Sequence, residues 1–180
     1  VSGAFEDRFG FIGGGTYRDF GELEGGADTG EQPGTGYDEW HGDAKFEYFF
    51  KDTVRLVAAY QRMRQNNVPR THKTVDAVPF EGTTVGDELR RELDQERELF
   101  YVQFHATDID GWLEELHASL SWQRQSEERD RIRADLSRDL QGFDVNTFGM
   151  FVQGKSTTAI GELVFGIDYY RDDVDSFSST

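Results

Sequence analysis

One segment of the chain matches the phosphate-binding loop pattern G-x-x-x-x-G-K-[ST]. Its fixed positions are Gly149, Gly154, Lys155 and Ser156. In such a loop the backbone amides surround a phosphate and the lysine reaches the terminal phosphates. Phe151 and Val152 favour an extended strand instead, and too few residues follow for the remainder of a nucleotide-binding domain. We therefore interpret the segment as a strand that runs to Gln153 and is followed by a polar turn.

The four histidines are the natural candidates for metal ligands. His41, His105 and His117 occupy polar positions of alternating segments, whereas His72 lies in the longest predicted loop. Neither H-E-x-x-H nor H-x-x-E-H spacing occurs. We predict no metal site and no bound cofactor, and we interpret the first three histidines as polar side chains on one face of a sheet.

A short basic segment is the best candidate for contact with a ligand. Arg70, His72 and Lys73 follow Pro69 in a chain that is otherwise acidic. Basic side chains bind carboxylates through charge-assisted hydrogen bonds. The alternative is a solvated loop without a ligand.

No combination of residues predicts an enzyme. The chain lacks a G-x-S-x-G motif and a plausible catalytic triad. Asp110-Gly111 indicates a turn and not a calcium loop, because the remaining oxygen ligands of an EF-hand are missing. The absence of cysteine excludes disulfides, thiolate metal sites and cysteine nucleophiles.

Composition excludes further classes. The 180 residues are enough for one domain, predicted to span residues 1–180, and the net charge of −16 repels nucleic acid phosphates. No stretch approaches eighteen apolar residues, so no transmembrane helix is predicted. Aromatic residues reach 14%, which is high for so acidic a chain.

The elements that carry these residues are predicted from an alternation of apolar and polar side chains. Between Trp112 and Gln125 the alternation is almost free of errors, and Trp112 and Trp122 end its apolar stripe. About ten residues at ~3.3 Å each, tilted by ~40°, rise roughly 25 Å. This rise matches the apolar band of a transmembrane β-barrel with aromatic girdles at both edges.

The same period of two recurs in about seven segments. One parity of these segments is apolar and is predicted to face lipid. The predicted lipid-facing residues are Phe46, Tyr48, Leu56, Tyr60, Phe100, Phe104, Trp112, Leu116, Leu120, Trp122, Phe148, Met150, Leu163, Phe165, Ile167 and Tyr169.

Long and short connections alternate along the chain. Long polar segments at about 20–37, 66–97 and 127–143 take turns with short ones at 51–52, 109–111 and 156–158. An up-and-down meander then places all long loops at one end, as in bacterial outer-membrane barrels. Two charged runs, Asp87 to Leu99 and Gln125 to Gln141, fit either short helices or extensions of the strands, and the pattern does not separate these.

The predicted fold is therefore all-β. It is an antiparallel up-and-down meander of about seven strands. Bacterial single-chain barrels start at eight strands and take even numbers. We expect an open fragment of a larger transmembrane β-barrel, with any export signal lying before Val1.

Four segments resemble the barrel domain of TonB-dependent outer-membrane receptors, and the haem, haemoglobin and transferrin receptor branch in particular. They are Phe9–Phe20, Asn66–Lys73, Glu114–Arg124 and Phe165–Ser176. Such receptors are 22-stranded barrels with a plugged lumen. They import iron chelates, haem, cobalamin or sugars with energy passed on by TonB.

The resemblance implies a location in the bacterial outer membrane. It implies contact with membrane lipid, with a plug domain, with TonB and with an iron chelate or haem, and it places the basic segment at 70–73 in an extracellular loop. A plug domain, a TonB box and an aromatic C-terminal residue are not recognised in the sequence. We therefore expect an internal segment of the barrel.

The alternative is a soluble β-sandwich that binds carbohydrate or protein through its aromatic residues. The two readings differ in one respect. In a sandwich the apolar stripe is covered by a second sheet, whereas in a barrel it is bare.

Overall fold

Long strands make up most of the computed structural model, which describes residues 1–6, 8–26 and 29–180. The strands of these ranges are β1 (Ser2–Phe5), β2 (Phe9–Phe20), β3 (Leu23–Gly25), β4 (Gly30–Gln32), β5 (Tyr37–Lys51), β6 (Val54–Pro69), β7 (Arg90–Ala106), β8 (Glu115–Ile132), β9 (Arg138–Thr158) and β10 (Gly161–Ser179). One 3-10 helical turn covers Thr71–Lys73. No helix in the described ranges is both long and apolar enough to cross a membrane.

Eight of the strands form one antiparallel sheet. Its order is β1-β2-β5-β6-β7-β8-β9-β10, so each strand pairs with its neighbours along the chain once the small β3-β4 ribbon is set aside. The predicted all-β antiparallel meander is confirmed, and the sheet is open, with β1 and β10 at its edges. Sequence reasoning missed β1, whose four residues are too few for an alternation to be recognised.

At the end of the sheet that carries the long loops, two connections are shorter than predicted. The loop expected at 127–143 is reduced to residues 133–137, and the one expected at 66–97 to residues 70–89. Both charged runs are strand extensions, not helices, because opposite charges pair across the strands, as Arg124 does with Asp144 at 2.7 Å.

Two predicted turns are displaced. The strand expected to end at Gln153 continues to Thr158, so the phosphate-loop pattern lies within β9 and the turn is at residues 159–160. The connection expected at 109–111 covers residues 107–114, and β8 begins at Glu115.

The cross-strand register divides the side chains between two faces, named here after one residue of each. On the Leu120 face, Leu120 is directly opposite Val102 and Met150. On the Ser121 face, Ser121 is opposite Tyr101 and Gly149. All the residues predicted to face lipid that lie in strands share the Leu120 face.

Trp112 reaches the same face although it lies outside a strand. Its ring stacks on Phe165 of β10 with centroids 5.9 Å apart, and the Ser156 hydroxyl donates a hydrogen bond to its carbonyl. The connection between β7 and β8 therefore passes over the end of β9. Gly154 leaves room for it, since a Cβ there would lie 2.7 Å from Phe165 and 2.9 Å from Leu113.

The loop at residues 70–89 is held together by backbone hydrogen bonds between its two ends, and Arg70 N–H and Leu89 N–H attach it to the carbonyls of Arg91 and Ile132 in the sheet. Val75 N–H donates to the Glu88 carbonyl at 2.9 Å, and Glu88 N–H donates to the Lys73 carbonyl at 3.2 Å. Gly86 makes this close approach possible, because a Cβ at that position would overlap the Lys73 carbonyl oxygen.

Gly86→Ala is expected to release this loop without unfolding the sheet. The added methyl group has to displace backbone, so the amides of Val75 and Glu88 should exchange hydrogen faster while amides of β8 keep their protection. Mass-spectrometric hydrogen exchange measures this. Gly21→Ala, which has no neighbour within 4 Å of the added Cβ, is the control. Equal exchange in both variants would show that the Gly86 contact does not hold the loop.

Candidate functional site

The Leu120 face carries an uninterrupted apolar band. On β6 to β9 the band begins at Val54, Ala106, Leu116 and Gly154 and ends at Tyr60, Phe100, Trp122 and Phe148. Leu120, in the middle of the band, is 51% exposed. Among the described residues, no second sheet packs on it, since the β3-β4 ribbon contacts no other strand.

The exposed fraction of each band residue depends on how closely the adjacent side chains of the same sheet surround it. Trp112, Phe100, Leu120 and Trp122 are exposed, whereas Leu116 and Phe104 are half-buried between adjacent side chains of the same sheet. Lateral contacts within one layer therefore account for the burial that exists.

The band ends sharply at a row of aromatic residues. Tyr60, Phe100, Trp122 and Phe148 lie directly opposite one another on successive strands. Two of them reach into the polar row beyond. The Tyr60 hydroxyl donates to Glu98 at 2.6 Å and Trp122 Nε1 donates to Asn146 at 3.2 Å. Each ring thus has an apolar side and a hydrogen-bonded tip.

Beyond the aromatic row polar side chains predominate on both faces of the sheet. On the Leu120 face, Arg62 pairs with Glu96 at 2.5 Å, and Arg124 pairs with Asp144. On the Ser121 face, the buried Glu39 accepts hydrogen bonds from Gln65 at 2.6 Å and Arg18 at 2.9 Å. The hydrogen bond from Gln65, with those from His41 and Arg18, lowers the pKa of the Glu39 carboxyl. Ion pairs and hydrogen bonds thus connect neighbouring strands along these extensions.

The loop end of the Ser121 face carries four arginines, Arg91, Arg129, Arg131 and Arg133, which we call the basic cluster. Arg91 and Arg131 lie directly opposite each other on β7 and β8. Glu88 compensates this like-charge pair from the loop, with carboxylate oxygens 3.2 Å from Arg91 Nη1 and 3.3 Å from Arg131 Nη1. The loop is therefore attached by charge as well as by its backbone.

Asp139 is the second anion of this region and is 2% exposed. Arg131 binds it with two hydrogen bonds, of 2.8 and 2.9 Å, and Arg129 Nη2 lies 3.3 Å from it. The hydrogen bonds from Arg131 lower the pKa of the Asp139 carboxyl despite its burial. Asp139 is thus ionised at neutral pH.

The predicted ligand residues lie beside this cluster. Arg70, His72 and Lys73 are exposed around the 3-10 turn. Arg70 N–H donates to the Arg91 carbonyl at 2.8 Å, and the Lys73 carbonyl accepts from Glu88 N–H. The structure therefore brings the basic segment next to arginines that sequence reasoning had not selected.

The predicted placement of three histidines on one polar face agrees with the register. His105 and His117 are opposite each other on the Ser121 face and stack at 4.1 Å, while His41 Nε2 lies 3.0 Å from Glu39. The described residues contain no group of three or more histidine and carboxylate side chains able to hold a metal ion.

No known relative identifies this arrangement. No protein-family model matches the chain, and neither a curated protein nor a solved structure was found that matches it.

The basic cluster could have been found from the sequence in one way. Arg129, Arg131 and Arg133 follow one another at a spacing of two, which brings them to one face if the segment is a strand but not if it is a helix. The pattern of apolar residues left that choice open. Glu88 and Asp139 carry no such signal, because their contacts depend on the register between strands and on the fold of the loop.

Asp139→Asn is expected to lower the free energy of unfolding by roughly 1–3 kcal/mol at pH 7, since charge-assisted hydrogen bonds from Arg131 are weakened. The folded-state pKa of Asp139 lies below the unfolded value of about 3.9. Its contribution is therefore complete above roughly pH 5 and is lost as the pH falls through the folded pKa.

Denaturant titrations between about pH 7 and pH 2 measure this contribution. The difference between wild type and Asp139→Asn should shrink as the pH falls. Asp173→Asn, at an exposed position opposite Asn146, is the control and should match the wild type. A difference for Asp139→Asn that stays constant with pH would mean that its charge does not contribute.

Proposed function

We propose that this chain is part of the barrel of a TonB-dependent outer-membrane receptor that imports an iron chelate, haem or a similar scarce nutrient. The observation that carries the proposal is the bare apolar band on one face of a single meandering sheet. In this function the Leu120 face contacts lipid, the Ser121 face lines the lumen, and the loops at the far end meet the ligand.

The size of the band supports contact with lipid. Four same-face positions on seven successive strands, at ~3.3 Å per residue and ~4.8 Å between strands, cover about 700 Å². Soluble monomers rarely expose an apolar patch above about 300–600 Å². A bilayer removes such a surface from water without a second protein layer.

The slope of the aromatic boundary supports a tilted sheet. The last aromatic residue before the polar extension is Trp40 on β5, which pairs with Arg64, four residues beyond Tyr60 of β6. On β10 the last aromatic residue before the polar extension is Tyr169. It pairs with Met150 of β9, which lies two residues deeper in the apolar band than Phe148. The boundary descends by three same-face positions from β2, where Tyr17 pairs with Trp40, to β10.

This descent converts into an angle. Three same-face positions are ~20 Å along a strand, and six inter-strand spacings are ~29 Å, which gives a slope of about 35°. Strands of outer-membrane barrels are tilted by ~35–45° from the membrane normal. The mean slope across the seven strands is therefore close to this range, with the boundary level from β6 to β9 and the descent between β5 and β6 and between β9 and β10.

The open edges support a larger barrel. β10 presents 19 residues that pair only with β9, and β1 pairs only with β2. Unpaired backbone polar groups are not tolerated in a bilayer. In the proposed receptor, further strands of the same barrel pair with both edges.

The alternative, a soluble sandwich, requires a cover for the Leu120 face. The described residues supply none, since the only other sheet is the ribbon of β3 and β4. The band would then depend on a separate partner as wide as the whole sheet. Membrane lipid is the simpler occupant.

Substitutions at two adjacent residues of β8 test the proposal. Leu120→Arg should impair assembly into bilayers, because arginine on the lipid face costs about 2–4 kcal/mol near the midplane. Ser121→Arg should be tolerated, because its side chain points into a polar lumen. The full receptor containing this chain is refolded into lipid vesicles, and its folded fraction is read from heat-modifiable gel mobility and denaturant titration.

Leu120→Met is the matched control, since it keeps the volume and the apolar character of the side chain. Equal damage from both arginine variants, or greater damage from Ser121→Arg, would mean that the faces are assigned wrongly. The transport proposal would then lose its physical basis.

A further inference from the structure

We infer that the basic cluster, with the adjacent basic segment at residues 70–73, binds the carboxylate groups of an anionic iron chelate. The inference rests on the proposed receptor function and deepens it, since it names the chemical class of the ligand. It depends on the charge balance, the donor geometry and the accessibility of the site.

The charge balance is the reverse of that of the whole chain, which has 19 basic and 35 acidic residues. In the basic cluster, four arginines contact two carboxylates, those of Glu88 and Asp139. The next acid along this face of β8 is Glu127, which accepts a hydrogen bond from Gln95 at 2.5 Å. Asp135, in the turn after Arg133, also interacts with it electrostatically, so four arginines face three acids and a surplus of one positive charge remains in this region.

The arginine donors are not saturated by these two acids. Arg129 Nε has no hydrogen-bond partner within the described part of the chain, but it is buried, so the donors open to a ligand are chiefly those of Arg133. Arg133 reaches Asp139 only at 3.6 Å, and its side chain is 44% exposed. A guanidinium presents donors in a planar fork that matches a carboxylate, so the remaining donors define what an incoming ligand should carry.

The two protein acids also hold the arginines in place before a ligand arrives. Asp139 binds Arg131 through two parallel hydrogen bonds, and Glu88 lies between Arg91 and Arg131. Side chains that are already ordered lose less conformational entropy on binding. Arg91, Arg129 and Arg131 still expose about a fifth of their side chains, so a ligand can reach them.

Lipid headgroups and a soluble chelate could both supply anionic groups, and the position of the basic cluster on the sheet distinguishes the two. Lipid headgroups would approach the Leu120 face, whereas the basic cluster lies on the Ser121 face at the end of the long loop. The backbone of Arg70 and Lys73 lies beside the cluster, and the side chains of both residues are exposed. A carboxylate-bearing chelate that enters the lumen from the loop side meets both groups.

The test compares binding of two probes to the full receptor in detergent by isothermal titration calorimetry. Iron(III) citrate is the anionic probe, and an uncharged trihydroxamate complex of iron(III) is the neutral probe. Arg133→Gln should weaken the binding of iron(III) citrate about tenfold, the effect of one charge-assisted hydrogen bond, and leave the neutral probe unchanged. Arg129→Gln should act in the same direction.

Matched controls separate charge from folding. Arg64→Gln removes a cation from the Leu120 face of β6 and should leave both affinities unchanged. Arg129→Lys keeps the charge but loses the planar fork, so its affinity for iron(III) citrate should lie between those of the wild type and Arg129→Gln. Because Arg133 is the most exposed of the four, its variant should keep the heat-modifiable mobility of the wild type.

Equal affinities for the two probes, unaltered by Arg133→Gln, would overturn the anionic class. The receptor function would stand in that case if Leu120→Arg and Ser121→Arg differ as expected. A receptor that binds neither probe would also overturn the inference. Preferential binding of iron(III) citrate that is lost with Arg133→Gln would support it.

Discussion

The alternation of side chains along paired strands is the constraint on which the whole structure depends. Successive residues of a strand point to opposite faces, so a slip of one residue in the register exchanges every side chain between them. From β2 to β10 the pairing keeps the apolar parity of each strand opposite that of the next. The bulge between Gln65 and Val68 lies beyond the apolar band, where a change of register brings no apolar side chain into water.

The sequence predicts the middle of each long strand well and its ends poorly. Within the band, Leu116 to Trp122 alternate with polar residues, and this period is visible without knowledge of partners. Beyond the band the alternation is between charges, as in Glu127 to Arg133, and hydrophobicity carries no information there. Those strands extend because their partners have the opposite charge, a property of pairs of segments that a single stretch of sequence does not contain.

The candidate ligand region shows the same division. The basic residues at 70–73 were recognisable from their composition, but their neighbours depend on the fold. Arg91 is separated from Arg131 by forty positions and becomes its direct neighbour only through the register of β7 and β8. Glu88 joins them because Gly86 lets the loop approach its own backbone. Contacts of this kind follow from topology and not from local pattern.

The meander order has a consequence for how the sheet assembles. Each long strand from β6 to β10 pairs with the strand before it through a connection of at most twenty residues, and four of those five connections have eight or fewer. Closing short loops costs little conformational entropy, and local pairing favours rapid folding. The sheet can therefore grow by one hairpin at a time. Each added strand leaves a new edge as the template for the next, and the edge of β10 is still open in this sheet.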